Sequence, residues 1–547
     1  MAATSPPTAT RPAAAAFSRA PCPGTNRVSL PCRRRHRRTP WWRPPRCSRK
    51  GKPVVTDVVE EAAPRGPGTE RKDNEEAEAG AGRGLPSWFK VDGVAADIIG
   101  IAAPAVLALA ADPITALIDT AFVGHIGSAE LAAVGASASI FNLVSKLFNV
   151  PLLNVTTSFV AEQQAVDESS NTTGKRDELL TPQKKTSQQR KILPAVSTSL
   201  ALAAGIGLLE MVALIVGSGT LMNIIGIPVD SPMRAPAEQF LTLRAYGAPP
   251  IIVALAAQGA FRGFLDTKTP LYAVGAGNLL NAILDAVLTF PLGLGVSGAA
   301  LATVSSEYLT AFILLWKLNN EVDLFSWDII GDGVIRYLKS GGLLIGRTIA
   351  VLLTLTLSTS LAAREGPVPM AGYEICLQVW LTMSLLNDAL ALAGQALLAT
   401  EYAKGNYKQA RMVLYRVLQV GGVTGVALAA TLFVGFGSLS LLFTDDPAVL
   451  DVARSGVWFV TISQPVNAIA FVADGLYYGV SDFAYAAYST IFAGAVSSVF
   501  LLMAAPKFGL GGIWAGLTLF MSLRAIAGFW RLWSKGGPWE IIWSEIE

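Results

Sequence analysis

Long apolar runs separated by short polar stretches make up most of the chain from residue 94 onward. A run of about 20 apolar residues is long enough to cross the roughly 30 Å hydrocarbon core of a bilayer as a helix. The pattern therefore predicts an all-α integral membrane protein with twelve transmembrane helices. The predicted spans are 94–123, 131–161, 192–216, 240–261, 270–290, 298–316, 335–363, 370–400, 413–442, 449–480, 483–505 and 511–533.

The composition agrees with a protein that crosses the membrane many times, and the sequence also argues against an ATP-driven pump and against an enzyme. Hydrophobic residues make up 52% of the 547-residue chain and charged residues only 15%, against about 25% charged residues in an average soluble domain. The chain lacks the Gly-x-x-x-x-Gly-Lys-Ser/Thr loop with which an ATP-driven pump would hold phosphates. Two histidines and four cysteines, three of them before residue 50, predict no enzyme active site, no metal site and no cofactor.

The first 56 residues form a basic leader. They hold 13 Arg or Lys, no Asp or Glu, and no apolar core of the kind that a secretory signal requires. Scattered prolines exclude the long amphipathic helix expected of a mitochondrial presequence. Residues 1–56 are therefore interpreted as a plastid transit peptide, and the acidic, Gly/Ala-rich residues 57–90 as a disordered linker. The Arg-rich run 33–38 also fits a nuclear signal or an anionic-lipid patch.

Basic residues in the loops predict the orientation of the protein in the membrane. They are concentrated on the side of the two termini, whereas the opposite helix ends carry only Arg234, Arg364, Arg454 and Lys507. Since positively charged loops stay on the cytoplasmic or stromal side, we expect both termini in the stroma and the helices in a chloroplast envelope membrane. The plasma membrane is the alternative. The net charge of +3 belongs to the leader and loops and predicts no nucleic-acid partner.

The two halves of the membrane body are weakly similar to each other. Pairs at a constant offset of 216 residues include Gly263/Gly479, Asp266/Asp482, Gly293/Gly509 and Leu294/Leu510. Six-helix halves in the same orientation are parallel repeats about an axis along the membrane normal, with the substrate path between them. The predicted organisation is an N-lobe at 91–319, an inter-lobe linker at 320–334, a C-lobe at 335–535 and a tail at 536–547. The hydrophilic insert 167–191 is expected to be disordered.

Asp119 and Asp285 are acidic residues inside predicted spans of the N-lobe. A carboxylate costs several kcal/mol in hydrocarbon, so it is kept where it faces a wet cavity or an ion path. Asp119 lies in the first span, and Asp285 lies in the fifth, one helical turn after Asn281 and therefore on the same face. We interpret Asp119, Asn281 and Asp285 as a cation-coupling site. A purely structural role, with capping by neighbouring hydroxyls, is the alternative.

The repeat favours coupling over structure for these acids. At the repeat offsets, Leu357 stands opposite Asp119, while Ser497 and Leu501 stand opposite Asn281 and Asp285. Acids that served packing alone would be expected in both halves. Carboxyl, amide and hydroxyl oxygens suit a proton as well as a hard cation such as Na⁺, so the coupling ion is H⁺ or Na⁺.

The segment Asp119-Thr-Ala-Phe-Val-Gly-His-Ile-Gly127, the twelve helices and the two halves resemble the multidrug and toxic compound extrusion (MATE) family. Three further segments resemble its plant DETOXIFICATION proteins, specifically the citrate-efflux branch and its plastid-targeted relatives. These are Leu361-Ala-Ala-Arg-Glu-Gly366, Ala391-Leu-Ala-Gly-Gln-Ala396 and Ser522-Leu-Arg-Ala525. The resemblance covers roughly residues 88–539.

This resemblance implies an antiporter that exports a solute while H⁺ or Na⁺ flows inward, by alternating access of two six-helix lobes. It adds Thr303 on the sixth helix to the cation site of Asp119, Asn281 and Asp285. Many family members also use a Glu on the seventh helix, where this chain offers Arg347 instead. The implied solute is a citrate-like organic anion or another small metabolite. Broad extrusion of phenolic or foreign compounds is the first alternative, and a lipid-linked flippase the second.

Polar residues in other spans are candidates for binding the solute. Lys146 and Arg347 would pair with an organic anion if they face the cleft, because a planar guanidinium binds carboxylates bidentately. Pairing with Glu374 or Asp388, or snorkelling to the membrane surface, is the alternative. The remaining candidates are Gln378, Asn387, Asp388, Gln464, Asn467 and Asp474. The expected partners are a small-molecule substrate and the lipid bilayer, and the expected state is a monomer.

Overall fold

The computed structural model describes residues 93–124, 126, 128–177, 193–225, 227–324, 332–441, 443–444, 446–534 and 536–544. The predicted transit peptide and the linker up to residue 90 lie outside this described part, as do residues 178–192 of the polar insert and 325–331 of the inter-lobe linker. Within the described part the chain is built from fourteen helices and the turns between them.

The first seven helices belong to the N-lobe. They are α1 (Gly93–Gly124), α2 (Ser128–Asp177), α3 (Pro194–Ile225), α4 (Arg234–Ala245), α5 (Ala248–Gly263), α6 (Lys268–Thr289) and α7 (Gly295–Glu321). The C-lobe follows with α8 (Asp332–Arg364), α9 (Pro367–Ala403), α10 (Tyr407–Ser440), α11 (Pro447–Gly479), α12 (Phe483–Phe508), α13 (Leu510–Trp533) and the short α14 (Pro538–Trp543).

The predicted twelve-helix membrane fold is confirmed, with one correction to the fourth helix. Eleven of the described helices are long and apolar enough to cross a membrane, and α4 with α5 supplies a twelfth span if the pair is counted as one. The pair is bent by 44°. Pro249 and Pro250 open α5, and proline has no N–H with which to continue the hydrogen-bond ladder of α4.

The second helix is longer than the sequence pattern predicts. Disorder was expected from residue 167, but α2 continues to Asp177, so that expectation was wrong for residues 167–177. Two contacts hold this extension near its start. Glu168 accepts a hydrogen bond from Gln164 at 3.1 Å, one turn earlier, and pairs at 3.2 Å with Lys404, the residue that follows α9.

The backbone supports the internal repeat more strongly than the side chains do. Leu265 and Ser481 are the described non-glycine residues with positive φ, at 63° and 57°, and they lie 216 positions apart. The next residues repeat the same turn: the Asp266 amide donates to the carbonyl five residues earlier at 2.9 Å, and the Asp482 amide does so at 2.8 Å. Because a left-handed side-chain residue costs energy, its recurrence at equivalent positions indicates one ancestral turn.

The two lobes are joined at the end of the bundle on which the chain termini lie. Ser158 of α2 donates to the carbonyl of Tyr478 at 2.7 Å, and Gln395 of α9 donates to Ser158 and to the Asn154 carbonyl, both at 2.9 Å. We call this set of contacts, together with the Arg336–Glu162 ion pair at 2.6 Å, the inner closure.

Apolar packing reinforces the inner closure. One cluster of buried residues combines Ile98 and Ile101 of α1 with Phe159 of α2, and with Tyr337 and further residues of α8 to α14. The ring of Phe159 meets that of Tyr337 edge-on, with centroids 4.7 Å apart. At the opposite end, the clusters around Phe240 and around Trp514 each draw on a single lobe. The lobes therefore enclose a cleft that opens away from the termini.

Candidate functional site

The N-lobe acids that the sequence singled out meet between α1 and α6. Gly277, Asn281, Asp285 and Thr289 form the buried face of α6, because each follows the last after one turn. The amide of Asn281 donates to Oδ1 of Asp119 on α1 at 2.9 Å. The two carboxyl groups lie close enough to share a hydrogen bond when one of them is protonated. Asp119, Asn281 and Asp285 are thus brought together as expected.

Asp285 is an unusual carboxyl group in this setting. Its side chain is 0% exposed, and no donor among the described residues reaches either of its oxygens. The amide oxygen of Asn281 also lacks a partner. A buried acceptor without a donor costs about 1–3 kcal/mol, and more when it is charged. The arrangement therefore leaves three oxygens ready to accept a proton or a cation.

The hydroxyl group of Thr303 does not donate its hydrogen bond to this cluster. It is half-buried on α7, and its hydroxyl donates to the carbonyl of Ala299 one turn earlier at 2.9 Å. Helix α7 packs closely on α6 near Gly277, where a Cβ atom would come within 2.0 Å of the Thr310 hydroxyl. The oxygen of the Thr303 hydroxyl can still accept a hydrogen bond or bind a cation, but the hydrogen bond that this hydroxyl donates lies within α7.

A second set of charges surrounds the acids and was missed from sequence. Arg244 at the end of α4 pairs with Glu307 of α7 through two contacts, at 2.5 and 2.6 Å. Its positive charge also acts on Asp112 and Asp119 of α1 and on Glu210 of α3. These residues lie inside apolar spans, and the rule that led to Asp119, that an ionisable residue in hydrocarbon marks function, would have found them too.

The C-lobe holds a buried ion cluster rather than a carboxyl pair. Asp474 of α11 accepts hydrogen bonds from Arg347 of α8 and from Arg524 of α13 through the same oxygen. The Nε atoms of both arginines are buried and lack a hydrogen-bond partner in the described part of the chain. Arg347 is thus paired, but with Asp474 and not with Glu374. Arg524 lies in the segment Ser522–Ala525, and the sequence pattern did not predict it as a site residue.

Asp388 extends this cluster toward the other lobe. It is exposed on α9, yet the charges of Arg347, Arg524 and Arg262 act on it. Arg262 belongs to α5 of the N-lobe and is only 7% exposed. An exposed carboxyl group among buried cations from both lobes lies in the cleft, near the inner closure. Three guanidinium groups here face two carboxylates, so the cluster carries an excess positive charge.

The other predicted solute-binding residues are spread over the lobes. Lys146 is exposed on α2, and Gln378 donates to Glu374 one turn earlier at 2.7 Å. Asn387 and Gln464 are fully buried, and both amide groups lack partners among the described residues. Asn467 lies 3.3 Å from the hydroxyl of Ser463. The amides of Asn387 and Gln464 are thus closed to solvent without a partner in the described part of the chain, whereas Gln378 and Asn467 are engaged within their helices.

The C-lobe counterparts of the cation site are apolar or satisfied. Ser497, opposite Asn281, donates to the carbonyl of Gly516 at 2.7 Å, and Leu501, opposite Asp285, packs in the buried core of the lobe. The C-lobe therefore has packing residues at the positions where the N-lobe has Asn281 and Asp285.

Comparisons with known proteins agree with the architecture. The MatE family model matches residues 186–287 and 344–503. Protein DETOXIFICATION 44, chloroplastic, of Arabidopsis thaliana is 64% identical over 451 residues, covering 82% of this chain and 84% of that protein. Protein DETOXIFICATION 45, chloroplastic, of the same plant is 47% identical over 443 residues, covering 81% and 79%. A crystal structure of MATE in the bent conformation superposes with a TM-score of 0.73 at 18% identity, covering 83% of this chain and 98% of the other.

Proposed function

The chain belongs to the MatE (MATE) family of membrane transporters, and from this premise we propose that it is an antiporter in which Asp119 and Asp285 bind the coupling ion. The ion is H⁺ or Na⁺. The observation that carries the proposal is the carboxyl group of Asp285, which is fully buried beside Asp119 without a donor among the described residues. A membrane protein keeps such a group where an ion neutralises it.

The position of the acids supports alternating access. The inner closure shuts the cleft on the side of the termini, and Asp119 is only half-buried, which gives an ion a route to Asp285 from the open side. An ion held between α1 and α6 would pull these helices together. Loading would then favour the state with the outer end closed and the inner closure broken, because a ligand shifts a conformational equilibrium by its differential affinity for the two states.

The exported solute in this proposal is a small organic anion of the citrate type. Its support is the excess positive charge of the cluster formed by Arg262, Arg347, Arg524, Asp388 and Asp474 near the base of the cleft. Arginine binds carboxylates in a planar, two-point geometry. The word DETOXIFICATION in the names of two relatives favours the second candidate, broad extrusion of phenolic or foreign compounds by the same ion cycle.

Purified protein in lipid vesicles tests ion coupling and solute together. Imposed H⁺ and Na⁺ gradients are expected to drive citrate flux under one of the two gradients, and Asp119→Asn is expected to remove that dependence. Asp451→Asn, which makes the same change at an exposed carboxyl group, is the control and should behave like the wild type. Gradient-driven flux that persists in Asp119→Asn would refute the coupling role, and flux of cationic dyes in place of citrate would favour the second candidate.

The proposed location is a chloroplast envelope membrane, with both termini in the stroma. It is supported by the basic leader and by the word chloroplastic in the names of two relatives. A fluorescent fusion of the full chain is expected at the plastid rim, whereas the chain without residues 2–56 should lose that location. A plasma-membrane signal from the full chain would establish the alternative.

A further inference from the structure

The charge of Arg244 acts on four acids that lie inside the membrane spans of the N-lobe, namely Asp112, Asp119, Glu210 and Glu307. Its guanidinium lies 4.3 Å from the ring of Phe141 and is tied by both nitrogen ends to Glu307. Arg244 and Glu307 expose only 14% and 15% of their side chains, so the pair is largely removed from solvent. Attraction between charges is far stronger there than in water.

The acids outnumber this cation. The charge of Arg244 acts on Asp112, Asp119 and Glu210 as well as on Glu307. The carboxyl group of Asp285 lies next to that of Asp119. Glu210 is 3% exposed and receives a hydrogen bond from Ser145 on one oxygen, while the other lacks a partner in the described structure. One guanidinium cannot neutralise five carboxyl groups, so its position decides which of them carries an uncompensated charge.

The pair also lies where the fourth membrane span is broken. The bend between α4 and α5 follows directly after Arg244. Gly247 in this bend packs so closely on Glu307 that a Cβ atom there would come within 2.1 Å of the carboxyl group. The ion pair thus joins α4 to α7 directly at the bend. The guanidinium is held by Glu307 while its charge also acts on Asp119.

We infer that Arg244 is the resident counter-ion of the cation site, a built-in positive charge that competes with the coupling ion for Asp119 and is held back by Glu307. This inference rests on the proposed function, because it assumes that Asp119 and Asp285 bind the ion. With the site loaded, Arg244 stays on Glu307. After the ion leaves toward the inner side, the guanidinium stabilises the empty carboxylates, so the unloaded lobe can return without a buried uncompensated charge.

The competition predicts changes of opposite sign in the half-saturating concentration of the coupling ion. Arg244→Gln removes the competitor, so that concentration should fall about tenfold, a typical coupling between neighbouring sites, and the maximal flux should fall because release is slowed. Glu307→Gln frees Arg244 to move toward Asp119, so the half-saturating concentration should rise about tenfold. The double variant should return close to the wild-type value.

The half-saturating concentration is measured as vesicle flux against H⁺ or Na⁺ concentration. Two further variants show whether a change comes from the charge of Arg244 or from misfolding. Arg244→Lys keeps the charge and should leave the half-saturating concentration within a few-fold of wild type. Asp112→Asn removes an exposed carboxyl group that shares Arg244 without touching the ion pair, and it should raise the half-saturating concentration. A purely structural pair would lower flux in both single variants and leave the ion dependence unchanged.

The outcomes separate this inference from the proposed function. If Asp119→Asn removes ion dependence while Arg244→Gln, Glu307→Gln and Asp112→Asn all leave the half-saturating concentration unchanged or move it in the same direction, the counter-ion role is wrong and the antiport proposal stands. If Asp119→Asn itself retains ion dependence, the proposed cation site fails, whatever the Arg244 variants do.

Discussion

Asp285→Asn is expected to abolish ion-driven flux while leaving the protein at least as resistant to heat as the wild type. The carboxyl group is buried without a donor in the described structure. An asparagine amide at this position could donate to Asp119 and would carry no charge, so the folded state loses nothing that the carboxylate supplied. Relief of an unsatisfied buried acceptor is worth about 1–3 kcal/mol.

The loss of coupling should be large because the carboxylate is the strongest ligand available to the ion. An interaction with a charged group contributes up to about 3 kcal/mol, which corresponds to roughly a hundredfold in ion affinity. Vesicle flux and thermal unfolding in detergent measure the two effects on one preparation. Asp451→Asn provides the control for both. An Asp285→Asn protein that unfolds several degrees earlier would assign the residue a structural role instead.

Asp474→Ala is expected to have the largest effect on stability. Asp474 accepts hydrogen bonds from both Arg347 and Arg524 in the buried C-lobe cluster, so its removal leaves two guanidinium groups without this hydrogen-bonded partner. Breaking a buried ion pair from one side typically costs about 3–5 kcal/mol. Thermal unfolding should therefore occur at a clearly lower temperature, and yield from expression should fall with it.

Two variants show whether the loss comes from the ion pairs. Asp388→Asn removes the exposed carboxyl group of the same cluster and should change the unfolding temperature little. Asp474→Ala combined with Arg347→Met and Arg524→Met removes all three charges and should recover much of the stability, because apolar residues of similar volume often replace a buried ion cluster without loss. Equal unfolding temperatures for Asp474→Ala and wild type would contradict the pairing.

The sequence predicted the architecture well because a bilayer restricts what an apolar chain can do. Each run of roughly 20 apolar residues becomes a membrane helix, since only a helix satisfies its own backbone in lipid. The bend between α4 and α5 could have been predicted from Pro249 and Pro250, which remove two donors at one place. The helical extension of α2 could not, because it depends on contacts such as the ion pair of Glu168 with Lys404, far along the chain.

The candidate site could also be predicted from the sequence only in part. Asn281 and Asp285 share a face by helical spacing alone, whereas their meeting with Asp119, 162 residues from Asn281, depends on how α1 packs against α6. Arg244 and Arg524 were visible as charges inside apolar spans. Their partners, Glu307 and Asp474, lie on other helices, and sequence spacing carries no information about which buried cation meets which acid.

In the proposed mechanism, an ion on Asp119 and Asp285 switches the protein between its two open states. Spin labels at positions 229 and 451, which are exposed on the N-lobe and C-lobe at the open end, report the width of the cleft as a distance distribution. Adding the coupling ion to the wild type is expected to shift that distribution to shorter distances, and in Asp119→Asn/Asp285→Asn it should leave the distances unchanged. The same ion-dependent shift in the double variant would contradict the account.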